Sequence, residues 1–406
     1  MMATRGFYRM KIQLVPNELT AKIKVLGIGG AGGNAINDMI ASQMVGVDFI
    51  AANTDAQALE RSLAPVKIQL GSGVTRGLGA GGDPEIGRKA AEEEGERLKQ
   101  VLQGADMVFI AAGMGGGTGT GASPVIADLS RELGSLTVAV VSKPFEFEGK
   151  MKRRLAETGI EELRKVVDTI ITIPNDRLFS LSSKNSRIKD VFGMANEVLG
   201  FAVQGVSDLI MVPGFINMDF ADVRTIMKER GMALMGTGIA NGGNRAADAA
   251  HKAISSPLLE DISIRGARGI LINITSAPDI SMEELREICG IVQEEAHEEA
   301  IIKWGLVYDE GLADEIRVTV IATGIGKRAA EMERPVWTQS IQPAEDLEIP
   351  TILRTAEAPR NAEGRPANLR SAANLGVVGA KRNIVHPDLQ YEESELDIPA
   401  FLRKDG

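Results

Sequence analysis

Residues 111–122 read AAGMGGGTGTGA, with six glycines in twelve positions. The run follows the apolar, strand-like DMVFIAAG (106–113) and precedes SPVIADLSREL (123–133), whose apolar residues fall at helical spacing. Glycine in a regular element is about 0.5–1 kcal/mol less favourable than alanine, because it gives up more backbone freedom on folding. A tight turn from strand into helix needs one or two glycines. A denser run points to something a Cβ would obstruct: backbone N–H groups laid bare at a helix N-terminus, where the helix dipole favours an anion such as phosphate.

The same pattern occurs earlier in the chain. KIKVLGIG (22–29) is apolar, GGAGG (29–33) reads as a turn, NAINDMIASQM (34–44) has helical spacing, and the strand VDFIAANTD (47–55) follows. After the second glycine run and its helix comes another strand, LTVAVVSKP (136–144). This alternation predicts an α/β fold with a largely parallel, Rossmann-like sheet and helices on both faces. Gly27, Gly29 and Gly32 match G-x-G-x-x-G, and Asp48 or Asp55 lies about where a ribose-binding acid is expected. Taken alone, that suggests a nicotinamide-dependent dehydrogenase. A dinucleotide fold needs one such loop, however, and here a third glycine cluster, GLGAGGDP, stands at 77–84. Several loops crowded on one sheet edge suit a single polyphosphate better. No G-x-x-x-x-G-K-S/T occurs, so this is not a P-loop nucleotidase.

The remainder of the chain sets limits on function. At 406 residues, 44% hydrophobic and 25% charged, it is an ordinary globular protein of more than one domain. A net charge of −10 argues against a nucleic-acid partner, which calls for a basic face. Cys289 is the one cysteine, and His251, His297 and His386 are scattered, so neither a disulfide framework nor a zinc site is expected, and the compartment reads as reducing cytosol. No signal-peptide run or stretch of eighteen apolar residues is present, so any membrane role is indirect. From Ile188 to Ile210 apolar residues recur at spacings of three and four, which predicts one long helix over 187–213. A smaller α/β region follows, with strands at GMALMGTGIA, ARGILINIT, IIKWGLVYD and IRVTVIATGI, a helix at NRAADAAHKAIS, and a helix opened by the capping box Ser281–Glu284. Beyond Gly326 periodicity is lost and seven of the sixteen prolines fall in the last 76 residues, which reads as a disordered linker. The terminal SELDIPAFLRKDG regains an apolar cluster and reads as a docking peptide.

GGGTGTGA (115–122), GIGGAGGNAIN, NTDAQAL, KPFEFEGK, NMDFADVR and the terminal DIPAFLRK together resemble the bacterial FtsZ family of the tubulin superfamily. The resemblance covers about Ala21 to Gly326 and the last dozen residues. It implies a flexible extension at 1–20, a GTP-binding domain at 21–186, a central helix at 187–213, a GTPase-activating α/β domain at 214–326, a linker at 327–392 and an adaptor-binding peptide at 393–406. Carried over by position, Gly30, Ala31, Gly32, Gly33 and Asn34 contact the nucleotide, and Gly117, Thr118 and Gly119 cradle its phosphates. Glu148 accepts from the ribose, Asn196 reads the guanine edge, and Phe192 stacks nearby. The family has arginine where this chain has Lys152, with Arg153 and Arg154 following, and which of these takes its place stays open. On their own, Asp219 and Asp222 read as helix-capping acids. The resemblance makes them, with Asn217, the groups that position water on the nucleotide of the next subunit. It further implies GTP as substrate, Mg²⁺ on the phosphates, and head-to-tail filaments in a cytoplasmic ring at the division site. Division adaptors such as FtsA or ZipA-like tethers would bind the tail. Two alternatives are the dehydrogenase and a tubulin-like filament protein of plasmid segregation.

Overall fold

Among the described residues the apolar runs form ten strands: β1 (Ile23–Ile28), β2 (Val47–Asn53), β3 (Val66–Gln69), β4 (Met107–Gly113), β5 (Leu136–Lys143), β6 (Thr169–Pro174), β7 (Gly231–Asn241), β8 (Gly269–Ser276), β9 (Ile301–Tyr308) and β10 (Glu315–Ile325). They make one sheet in the order β3-β2-β1-β4-β5-β6-β7-β10-β8-β9. The computed structural model describes residues 21–181, 187–212, 214–228, 231–256 and 264–325. The extension 1–20, the linker 327–392 and the peptide 393–406 lie outside them. The described residues belong to one compact unit.

Helices α1 (Gly29–Ala41), α2 (Ala56–Glu60), α3 (Ser72–Thr75), α4 (Pro84–Glu93), α5 (Gly95–Leu102), α6 (Gly117–Glu132), α7 (Lys150–Val166) and α8 (Asn175–Leu181) are interleaved with the first six strands. Every neighbouring pair from β3 to β7 is parallel. Parallel strands covered on both sides need apolar residues at consecutive positions, and β4 is buried from Met107 to Ala112. Alternate residues serve opposite faces. Val25, Phe109 and Val138 meet Ile36 and Met39 of α1, while Leu26, Ile110 and Ala139 meet Leu98, Ile126 and Ile160.

The predicted central helix is α9 (Ile188–Met211), 24 residues and about 36 Å long. Its buried stripe of Ala195, Leu199, Ala202, Val203, Val206 and Leu209 shares one cluster with β1 and β4 and also with Leu271 of β8 and Ile321 of β10. Ile188 and Phe192, which fit the same periodicity, point outward instead at 77% and 40% exposure. Helices α10 (Phe220–Met227), α11 (Arg245–Ile254) and α12 (Met282–Glu295) complete the second half. The box that opens α12 forms as read, with Glu284 N donating to Ser281 Oγ at 3.1 Å and Ser281 N to Glu284 Oε2 at 2.8 Å. Strand β7 joins the halves. Among the described residues it pairs with β6 through three residue pairs, Thr169–Gly231 to Ile171–Ala233, but lies antiparallel to β10 over nearly its whole length.

The helices begin earlier than the sequence suggests. Helix α1 starts at Gly29 and α6 at Gly117, so glycines expected in loops form first helical turns. The reason is close backbone approach: a Cβ on Gly121 would lie 1.9 Å from Pro84 O, and one on Gly87 would lie 2.3 Å from Gly117 O. Helices α4 and α6 therefore cross almost backbone to backbone, and part of the glycine content answers to packing.

Where α9 meets the second half, Asp208 faces Asn273 of β8 and Arg317 of β10, with Gln204 one turn before it. Burial pushes the Asp208 carboxyl from an ordinary 3.8 up to about 6; the hydrogen bond with Gln204 and the charge of Arg317 oppose that, and Asp309 adds to it. A carboxyl raised in the folded state binds more protons there than in the unfolded chain. Its stabilising contribution is thus complete below pH 3.8 and lost as pH rises through 6. Asp208→Asn is expected to raise stability at pH 7.5 by about 2–3 kcal/mol and to change it little at pH 4. Urea midpoints across that range test this; a curve parallel to the parent's would place the pH response elsewhere.

Candidate active site

The C-terminal ends of β1, β4, β5 and β6 lie side by side, and the N-termini of α1 and α6 open onto the same place. Ligands of parallel α/β sheets bind outside these strand ends. An open cleft of about 270 Å³ is found there, close to the lower end of the range of small-molecule sites. Gly30, Ala31, Gly117, Thr118, Gly119, Glu148, Lys152, Phe192 and Asn196 all line it. The other three expected nucleotide contacts, Gly32, Gly33 and Asn34, do not. Gly32 is buried, and its Cβ would meet Ala111 O at 2.2 Å, so it serves the packing of α1 on the sheet. Gly33 and Asn34 line an adjoining cleft of about 130 Å³ between α1, β2 and α2, with Gly30 common to both clefts.

Two observations favour a bound ligand in this cleft. At Gly30 and Gly116, which line the main cleft, an added Cβ would meet no protein atom within 4 Å, so nothing in the chain itself demands glycine there. The second is Asn175, first residue of α8 and next after β6. It lines the cleft and is only 6% exposed, yet its Oδ1 has no hydrogen-bond partner. A buried amide oxygen left unpaired is costly, and a donor on a bound molecule would satisfy it. Asn175 is absent from the sequence reading; its one signal is its position at the end of a parallel strand, equivalent to the glycines after β1 and β4.

The rim is organised by short contacts. Glu148 Oε1 accepts from Phe145 N at 2.9 Å and its Oε2 from Lys152 Nζ at 2.9 Å. Arg153 instead pairs with Asp176 at 3.3 Å, so the cation beside the cleft is Lys152. Phe192 meets the ring of Phe145 edge-on, centroids 5.1 Å apart. Asn196 Nδ2 donates to Asp38 Oδ2 at 2.9 Å. Thr54 and Thr118 hydroxyls lie 2.6 Å apart and tie the segment after β2 to the start of α6.

The dinucleotide reading loses its acid. Asp55 caps α2, accepting from Gln57 N and Ala58 N. Asp48 is at the start of β2, the wrong end of the strand for a ribose.

Asn217, Asp219 and Asp222 do not line the cleft. Asn217 Oδ1 accepts from Gly214 N at 2.6 Å, Asp219 Oδ1 caps α10 through Asp222 N at 2.7 Å, and Asp222 Oδ1 pairs with Lys303 Nζ at 3.0 Å. The capping role read from the sequence is therefore real for Asp219. At the other end of α10, Met227 O accepts from Thr169 of β6 and Ile226 O from Thr323 of β10, which fixes the helix against the sheet. The acidic segment follows the C-terminal end of α9, whereas Phe192 and Asn196 are near its N-terminal end. Nineteen helical residues, about 28 Å, separate Phe192 from Met211. The acids and the cleft occupy opposite ends of that helix.

Residues 22–183 match the model of the Tubulin/FtsZ family GTPase domain, and residues 231–326 match that of the FtsZ family C-terminal domain. The cell division protein FtsZ of Pseudomonas putida is 49% identical over 389 residues, which cover 94% of this chain and 96% of that one. That of Pseudomonas aeruginosa is 48% identical, covering 95% and 97%. The chain belongs to the FtsZ family. An empty FtsZ dimer from M. jannaschii superposes with a TM-score of 0.74 at 44% identity, covering 77% of this chain and 90% of that one. As an FtsZ-family member the chain is a tubulin-like GTPase of cell division that forms filaments.

Proposed function

We propose that GTP binds in the cleft at the ends of β1, β4, β5 and β6 and is hydrolysed only when a second subunit brings Asn217, Asp219 and Asp222 onto it. The observation that carries this reading is the separation along α9: a subunit's own acids are about 28 Å of helix away from its cleft. Backbone N–H groups at the starts of α1 and α6 hold the phosphates, Glu148 accepts from the ribose, Asn175 Oδ1 takes one further donor, and Phe192 packs on the base whose edge Asn196 reads. Asn217, Asp219 and Asp222 of the incoming subunit orient the attacking water, and Lys303, 3.0 Å from Asp222, holds that carboxylate in place. Phosphoryl transfer asks mainly for positioning and charge stabilisation. Mg²⁺ bound together with the nucleotide would supply further neutralisation of the phosphate charge.

A site completed by a neighbour is heterologous and does not close, so it builds head-to-tail filaments. The terminal peptide then docks to membrane-tethering adaptors of the FtsA or ZipA-like kind, and the polymer forms a cytoplasmic ring at midcell. Among the described residues no helix is long and apolar enough to cross a membrane, in keeping with attachment through such adaptors. The units are the GTP-binding domain (21–186), the central helix (187–213) and the activating domain (214–326). Sedimentation of purified protein with GTP and with GDP tests the reading. Filaments are expected to pellet with GTP and to be largely lost with GDP; equal pelleting with both would detach assembly from the nucleotide.

A further inference from the structure

Asn196 on α9 and Asp38 on α1 are 158 residues apart in sequence, yet Asn196 Nδ2 lies 2.9 Å from Asp38 Oδ2. The two backbones are held by packing beneath that contact, since Ala35, Ile36 and Met39 of α1 share an apolar cluster with Ala195 and Leu199 of α9. An amide can offer either end to a neighbour, its NH₂ as donor or its oxygen as acceptor. A carboxylate only accepts. Asp38 therefore commits the amide nitrogen of Asn196 to itself and leaves Oδ1 as the end free for the cleft, which Asn196 lines.

We infer that Asp38 is a positioning residue that sets purine specificity by fixing the polarity of the Asn196 amide. The inference rests on the reading of the cleft as a nucleotide site. The edge of guanine carries N1–H and N2–H donors, which an amide oxygen satisfies; adenine presents N1 as an acceptor at the equivalent place, so oxygen faces lone pair. Without Asp38 the amide is free to turn its NH₂ toward adenine N1. Asp38 does not line the cleft itself, so it acts through Asn196.

The test is the affinity of the full chain for GDP, IDP and ADP, diphosphates being chosen to keep the protein unassembled. Wild-type protein is expected to prefer GDP to ADP, with IDP, which keeps N1–H and lacks the N2 amine, in between. Asp38→Ala is expected to narrow the GDP-to-ADP ratio about tenfold with an unchanged melting temperature, because Asp38 is exposed. Asn196→Asp sets two carboxylates against each other and is expected to weaken GDP binding. Adding Asp38→Asn to it restores a donor at position 38 and an acceptor at 196, and GDP selectivity is expected to return. If Asp38→Ala lowers GDP and ADP affinity equally, or the double variant is no more selective than Asn196→Asp alone, the polarity role is overturned. Wild-type protein that binds GDP no better than ADP would remove the guanine reading along with it, a result separable from the first because it appears before any substitution.

Discussion

Asp222→Ala is expected to bind GTP as well as the parent chain and to assemble, while turnover falls roughly 10²–10³-fold, the effect of losing about 3–4 kcal/mol of transition-state stabilisation. The local structure gives the variant every chance to fold. The start of α10 is held by Asp222 N, not by its side chain, donating to Asp219 at 2.7 Å, and alanine keeps that N–H. Lys303 loses its partner, but the pair is partly exposed at 41% and 37%, and such pairs contribute about 0–1 kcal/mol. The decisive measurement is GTP turnover per wild-type subunit in mixtures with the variant, after co-assembly is confirmed. If the acids act on a neighbour's nucleotide, each variant subunit silences a wild-type one, and turnover per wild-type molecule declines with the mutant fraction. A flat line would falsify the shared site.

The second large effect is expected at Gly30 and Gly116. Leucine at either position meets no protein atom through its Cβ, and neither backbone has a positive φ. At Gly30, inside the first turn of α1, replacing glycine relieves an entropic cost of about 0.5–1 kcal/mol. Gly30→Leu is therefore expected to melt no lower than the parent while its nucleotide affinity drops by at least ~100-fold, since the side chain occupies the phosphate-facing wall. Gly119 is different. Its Cβ would lie 2.4 Å from Gly113 O, so a large residue there is expected to lower stability and binding together. Thermal melts beside nucleotide titrations separate the two kinds of glycine; unchanged affinity in Gly30→Leu would move the phosphates out of this cleft.

That contrast also marks what the sequence can and cannot convey. Strand and helix order was legible because apolar periodicity and caps are local. The stripe on α9, apart from the outward-pointing Ile188 and Phe192, and the Ser281–Glu284 box appear as read, and the strand ends that open onto the cleft follow from the alternation of elements. The glycine runs were legible as a phosphate signal, but not which of their members answer to a ligand and which to another helix. Gly121 needs its hydrogen because Pro84 O is 1.9 Å from where a Cβ would stand, a relation between residues distant in the chain. Lys152 and Arg153 are adjacent and equally cationic in sequence; Asp176, 23 residues on, engages Arg153. Asn175 and Asp38 carry no motif at all, and acquire meaning only from an orphaned amide oxygen and from a contact across 158 residues.

The junction of β6 with β7 has a mechanical meaning for a subunit loaded from both ends. Tension along a filament would enter one half at the cleft and leave the other at the acidic segment, so it must cross the sheet. Rungs at each strand pair act in parallel, while successive strand pairs act in series, and the softest element in a series sets the strain. With three residue pairs at that junction among the described residues against eight between β8 and β10, deformation is expected to concentrate there. The struts that share the load are α9, packed on both halves, and α10, tied by its last carbonyls to β6 on one side and β10 on the other. One of these carries Phe192 and Asn196 at the cleft and the other begins at Asp219 and Asp222, so under the proposed function strain in the polymer would be borne by the two elements that position the chemistry.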